Sequence, residues 1–338
     1  MTGILPSQTL AQMIESGALA ATDGFEPGQI QPASLDLRLG RTAYRLRASF
    51  LPGAGRTVED RLNGDIVMHR IDLSEGAVLE TGCVYLVPLA ERLALPEDVS
   101  CAANPKSSTG RIDVFTRVIT DGAQAFDAAP AGYQGPLYLE ISPRTFSVLV
   151  RPGARLAQIR LRRGSPAPLK EITLGVDLTG GESGVIGYRA RRHSGLIDLE
   201  NLGGHDPADF WEPVPARGGR MVLDPDEFYI LASAESASVA PDEAAEMAPI
   251  ATEIGEFRAH YAGFFDPGFG WESAGGAGSR AVLEVRGRDV PFMLEHGQAA
   301  ARLVYEALEA PADAVYGASG SHYQAQGLKL SKHFGGWG

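Results

Sequence analysis

The chain is poor in the groups that staple or anchor a fold. It has two cysteines in 338 residues, Cys83 and Cys101, and no Cys-x-x-Cys pair. That excludes a disulfide scaffold and a thiolate zinc site, and it suits a reducing compartment. Its seven histidines show no metal-ligand spacing. No apolar run approaches the roughly 20 residues of a membrane span, and no basic stretch followed by an apolar core marks a secretory signal. The expectation is a cytoplasmic protein without membrane contact. Positive charge is short as well, with 30 Lys and Arg against 42 Asp and Glu and a net charge of -12. That balance argues against nucleic acid, which needs a basic face. It leaves room for an anionic small molecule, for which a local patch suffices. Long helical periodicity is scarce. One candidate helix spans residues 6–17, where Ser7 caps, Leu10, Met13 and Ile14 share a face and Gly17 ends it. The other is 241–247.

What is present in quantity is short apolar alternation between turn residues, the pattern of a mainly β protein. Leu35, Leu37 and Leu39 alternate with Asp36 and Arg38 in a half-buried strand whose polar face is expected to meet solvent. Residues 83–105 give two short strands about a polar turn. The strongest organisational signal is an internal repeat. LYLEISPRTFSVLVRPGARLAQI returns as AVLEVRGRDVPFMLEHGQAAARL, so that Glu140 matches Glu284 and Gly153 matches Gly297 at one common offset. Two β domains of one kind are expected, 1–200 and 201–338, joined by the Gly- and Pro-rich stretch 203–219. At the same offset Ser107 and Arg111 fall near Ala251 and Gly255. The second copy therefore lacks the polar cluster of the first, and it is expected to be scaffold, with Glu284 in a structural pair.

Chemistry concentrates between Asn104 and Arg163. In NPKSSTGR, serine hydroxyls stand beside a lysine and an arginine, donors that suit a phosphate. Glu140 is a lone carboxylate inside an apolar strand, costly unless paired or used. Arg144, Arg151, Arg155, Arg160, Arg162 and Arg163 make a cationic stretch. Together these point to an enzyme acting on a phosphorylated small molecule.

KSSTGR, the Asp127 turn, LYLEI and RPGARLAQI, with QPASLDLRLG before them and HYQAQGLKLSKHF after, resemble the dCTP deaminase branch of the dUTPase-like superfamily, in an internally duplicated bacterial form. The resemblance implies two tandem distorted β-barrels of jelly-roll type with a few short helices. It implies a homotrimer with sites at subunit boundaries, and hydrolytic removal of the amino group of dCTP to give dUTP and ammonia. Mg²⁺ would arrive on the triphosphate, with no ion held directly by the protein. Zinc is not implied, and the H-x-E and P-C-x-x-C segments of zinc deaminases are absent.

Carried over residue by residue, the resemblance makes Glu140 the catalytic carboxylate, with Ser107 and Arg111 beside the water and pyrimidine C4. Lys106 and Ser108 would contact phosphates, the backbone at Gly122 and Ala123 would lie along the base edge, and Asp127 near the deoxyribose. Tyr316, Tyr323 and Gln326 fall in a segment that closes over the nucleotide. A second-copy tail closing a first-copy site is the arrangement expected. Two departures stand out: Ala125 replaces an arginine, and roughly Ala128 to Pro130 lengthen the turn after Asp127. The alternatives are hydrolysis of dUTP, alone or after deamination, with Asp127 activating a water and Tyr133 stacking on the base, or a noncatalytic nucleotide-binding module.

Overall fold

Each half of the chain is built around a long antiparallel strand that carries its lone glutamate. In the computed structural model Gln134–Pro143 runs between Val84–Ala94 and Val114–Thr120, with Glu140 opposite Leu86 on one side and Arg117 on the other. In the second half Ser279–Gly287 runs between Phe228–Ala237 and Phe257–His260, with Glu284 opposite Ile230 and His260. Thr42–Leu46 and Val67–Asp72 extend the first sheet as Val185–Ala190 and Trp211–Pro215 extend the second. A companion sheet pairs Ala157–Arg163 with Val99–Pro105, and its counterpart pairs Ala299–Ala307 with Glu243–Pro249. The strand orders correspond, so the sequence repeat is a repeat of a β-barrel. The structure describes residues 2–250, 257–260 as backbone, 263–272, 278–317 and 326–337.

Sheet membership moves the boundary expected at residue 200. Lys170–Gly175 and Val185–Ala190 already pair within the second half's sheets, although Ile197–Asp198 pairs back onto Val148–Val150 of the first. The supposed linker is also structured. Pro207–Phe210 is a short helix and Trp211–Pro215 a sheet strand, because its aromatics are core residues rather than spacers. Trp211 is fully buried and meets Phe146 of the first half edge-on, with centroids 5.3 Å apart. Phe228, Ile230, Val282 and Phe334 of the second half join the same apolar cluster. The two barrels thus share a core.

Local expectations fared unevenly. The first helix is Ser7–Glu15, but Pro6 is its cap residue and Ser7 its first helical one. Gly17, at φ 78°, ends it. Residues 241–247 form no helix, since Glu243–Pro249 is a strand. Asp36 and Arg38 do not face solvent. Both are buried, Arg38 on Glu91 at 2.8 Å and Asp36 on Lys106.

The arginine stretch is mostly not a substrate patch. Arg160 pairs with Asp266, Arg162 with Glu306 and Arg163 with Glu309, each across the boundary between the halves. Arg151 pairs with Asp198. Charges that looked free along the sequence tie the two barrels together.

Candidate active site

The boundary between the halves encloses a cavity of about 390 Å³. From the first half come Lys106, Ser107, Ser108 and Arg111. The chain leaves Val99–Pro105, makes a single helical turn at Ser107–Gly110, and re-enters the sheet at Val114, which sets these side chains on the rim. Ser107 is half-buried and Arg111 is 2% exposed. Facing them from the second half are Glu284, Val282, Phe264, Phe265 and Asp266. The turn that follows packs against Tyr316. A methyl group on Gly268, at φ 94°, would stand 2.8 Å from Val315, so only glycine lets the two segments meet.

The carboxylate that meets the hydroxyl and guanidinium is therefore Glu284, not Glu140. Burial pushes Glu284 up to about 8, with the Arg111 charge pulling the other way. A carboxyl so poised exchanges protons near neutral pH. Asp266 accepts from Arg160 Nη2 at 2.8 Å and from Ser34 at 3.1 Å, so its carboxylate is fixed in the wall.

Glu140 lies in its own barrel beside Ser49 and Arg117, and burial raises its pKa. Asp127 is not in the cavity wall either. It accepts the Val118 N–H at 2.7 Å, and burial lifts it to about 7. Gly122 and Ala123 bond to the backbone of residues 53–56 and so have no free edge to offer a base. Tyr133 accepts from the Asp121 N–H at 3.1 Å and donates to the Pro136 carbonyl at 2.7 Å, within its own turn. Neither these four residues nor Glu140 lines that cavity. The counterparts Asp266 and Glu284 line the cavity instead.

The tail lies against the first half's loop where it is described. Gln326 Oε1 accepts from Arg111 at 3.0 Å, and the Lys329 carbonyl accepts from the other guanidinium nitrogen at 3.0 Å. Ser331 donates to the Ser108 carbonyl at 2.8 Å. The second half's tail is thus bonded to the first half's loop. Tyr316 lines the cavity, while Tyr323 lies outside the described residues.

Sequence reasoning missed Asp36 and Lys332 and met Arg155 only as one member of the cationic stretch. Lys106, Arg155 and Lys332 gather at the cavity with Asp36 among them. Burial, then the Lys106 charge, lowers the pKa of Lys332, while Asp36 opposes the shift. A cluster in which one ammonium depresses another is short of negative charge, and a polyphosphate would supply it. Among the described residues no group of three or more His, Cys, Asp or Glu is placed to hold a metal ion.

A β-barrel repeated within one chain, with a cationic hydroxyl loop from one copy facing a buried acid from the other, defines an enzyme for a small phosphorylated substrate. Comparison with known proteins narrows the class. Residues 1–165 match the family described as the 2'-deoxycytidine 5'-triphosphate deaminase N-terminal domain, and residues 153–334 match its C-terminal domain. The chain belongs to the dCTP deaminase family.

A crystal structure of the 2'-deoxycytidine 5'-triphosphate deaminase from Agrobacterium tumefaciens is 56% identical with a TM-score of 0.87, covering 91% of this chain and 99% of that one. A dCTP deaminase of Haloarcula marismortui is 30% identical over 158 residues, 46% of this chain and 78% of its own length. A dUMP-forming dCTP deaminase of Beutenbergia cavernae is 30% identical over 166 residues, 48% of this chain and 82% of its own.

Proposed function

We propose that the chain converts dCTP and water to dUTP and ammonia in the cavity between its halves. The observation that carries this reading is the meeting of Ser107, Arg111 and Glu284 in one cavity, sealed by Gln326 on Arg111. Glu284 takes a proton from the water that attacks pyrimidine C4. It passes that proton to ring N3, then takes the second proton from the C4 hydroxyl of the adduct and gives it to the amine, so that ammonia leaves as the C4–N bond breaks and the C4 carbonyl forms. Ser107 and Arg111 orient the water and stabilise the charge that develops at C4, a contribution of about 3 kcal/mol per donor.

Substrate enters as the Mg²⁺–triphosphate complex. Lys106, Arg155 and Lys332 receive the phosphates, and Asp266, held by Arg160 and Ser34, stands by the sugar. No step calls on zinc. A free nucleotide and two unpaired thiols fit a reducing, cytoplasmic setting. The trimer expected from the resemblance puts sites between subunits, but here the boundary that matters lies within one chain, so a second copy is not needed to complete the site.

Some relatives carry the reaction on to dUMP. For this chain we favour arrest at dUTP, because Asp266, which stands in the cavity where Asp127 was expected, has both carboxylate oxygens held by Arg160 and Ser34, and Tyr133 does not line the cavity. The test is to resolve nucleotides after incubation with Mg²⁺ and dCTP. Equimolar ammonia and dUTP support the proposal. dUMP with pyrophosphate would establish the longer reaction, and absence of ammonia would end the deaminase reading for this cavity.

A further inference from the structure

The first barrel repeats the strand arrangement that forms the proposed catalytic wall in the second, yet its glutamate does not line the inter-barrel cavity. Its place is filled by the connection between Thr42–Leu46 and Val67–Asp72. Gly53 donates its N–H to the Ala123 carbonyl at 3.0 Å, and Gly122 donates to the Arg56 carbonyl at 2.8 Å. Adjacent residues of the wall thus satisfy one acceptor and one donor, the pairing that the edge of an amide-like heterocycle would make. The Val58 N–H donates to Asp121 at 2.7 Å, and Ser49 lies beside Glu140.

The filling is anchored rather than draped. Val58 is fully buried with Leu46, Leu86, Ile119 and Tyr138, and Phe50, Leu51 and Leu62 pack on that cluster. The helix Val58–Leu62 is closed by a reciprocal capping box between Thr57 and Asp60. Beside Glu140, the Arg117 guanidinium lies 4.5 Å from the Phe115 ring centre and 4.4 Å from that of Phe126. A planar cation against two aromatic rings takes up the space beside the glutamate.

The topologically equivalent connection of the second half, between Val185–Ala190 and Trp211–Pro215, does something different. It receives the C-terminal tail, with Gly203 donating to the Lys332 carbonyl at 3.0 Å and His205 to that of His333 at 3.2 Å. One copy's connection holds the closing segment of a working site, while the other copy's connection occupies the matching site.

We propose that residues 47–66 are a resident intramolecular ligand of the first barrel's nucleotide-like pocket, so that each chain offers one dCTP site and Glu140 takes no part in turnover. This rests on the assignment of the open cavity to dCTP. The test is calorimetric titration of the full chain carrying E284Q with Mg²⁺ and dCTP, together with hydrogen exchange at the Gly53, Val58 and Gly122 amides. One nucleotide per chain, and amides protected to the level of the central strands with or without nucleotide, are expected. The S49A/E140Q double variant should keep the parent's kcat/KM. Two nucleotides per chain, amides exchanging at loop rates, or loss of activity in that double variant would overturn the proposal. Protected amides with no nucleotide bound would support the resident segment and count against the open cavity as the dCTP site.

Discussion

Arg160 of the first barrel donates to Asp266 of the second at 2.8 Å, and both side chains are buried. The same guanidinium donates to the Ala245 carbonyl at 2.8 Å and the Phe265 carbonyl at 3.2 Å, and lies 4.2 Å from the Phe264 ring centre. One arginine thus fixes the backbone, the ring and the carboxylate of a stretch of cavity wall. Removing one partner of such a pair leaves an uncompensated buried charge, which costs about 3–5 kcal/mol. R160M should therefore lower Tm and raise KM for dCTP, with R160K restoring part of the KM. R162M, which breaks a different inter-barrel pair, should lower Tm and leave KM alone. Equal KM effects from the two would reduce Arg160 to a tie between barrels.

The tail prediction rests on Arg111. Gln326 gives that guanidinium a charge-assisted bond, worth about 1.5–3 kcal/mol. Q326A should weaken dCTP binding or turnover by roughly ten-fold or more, and truncation after Tyr316 should cost more than Q326A. Steady-state kinetics on the two proteins decides it. A truncated chain with the parent's constants would remove the tail from the site.

Titration follows from burial. Glu284 moves from 4.5 to about 8 and Asp127 from 3.8 to about 7, each chiefly because folding takes its carboxylate out of water. The native state therefore holds protons that the unfolded chain has already released at those pH values. Stability from these two groups is present at low pH and lost as pH rises from about 4 towards about 8. Tm measured across that range should decline, and E284Q should flatten the decline. kcat/KM should rise with pH, its acid limb set by Glu284.

Ser107 is the cleanest probe of the hydroxyl loop because its side chain is only half-buried. S107A should lower kcat by about 10²–10³-fold, the usual loss on removing one donor to developing charge. Its circular dichroism should match the parent's. A fall in Tm equal to that of R160M would mean the hydroxyl holds the fold rather than the reaction.

Much of this was legible in sequence. The apolar alternation and the repeat gave the two β-barrels, and the KSSTGR loop gave the cationic side of the site. Glu140 and Glu284 sit at the same register position, and sequence alone does not say which barrel faces which loop. Signals that favour the proposed Glu284 were present. Ala125 and the lengthened turn marked the first copy's pocket as altered, whereas FDPGFGW in the second copy kept a short turn. A hydroxyl loop kept in one copy and an acid kept in both is the pattern of a site shared between copies. The convergence of Asp36, Arg155 and Lys332 escaped notice because it depends on inter-barrel packing that no local periodicity encodes. The arginines of Ala157–Arg163 misled for the complementary reason, since their carboxylate partners lie more than a hundred residues away.

The most direct measurement compares ammonia release from dCTP by E284Q and E140Q, each at saturating Mg²⁺ and matched fold content. Loss of the proton-transferring carboxylate should cost E284Q about 10²–10⁴-fold in kcat, while E140Q keeps the parent's rate. Loss in E140Q with activity retained in E284Q would contradict the assignment of catalysis to the boundary between the two barrels.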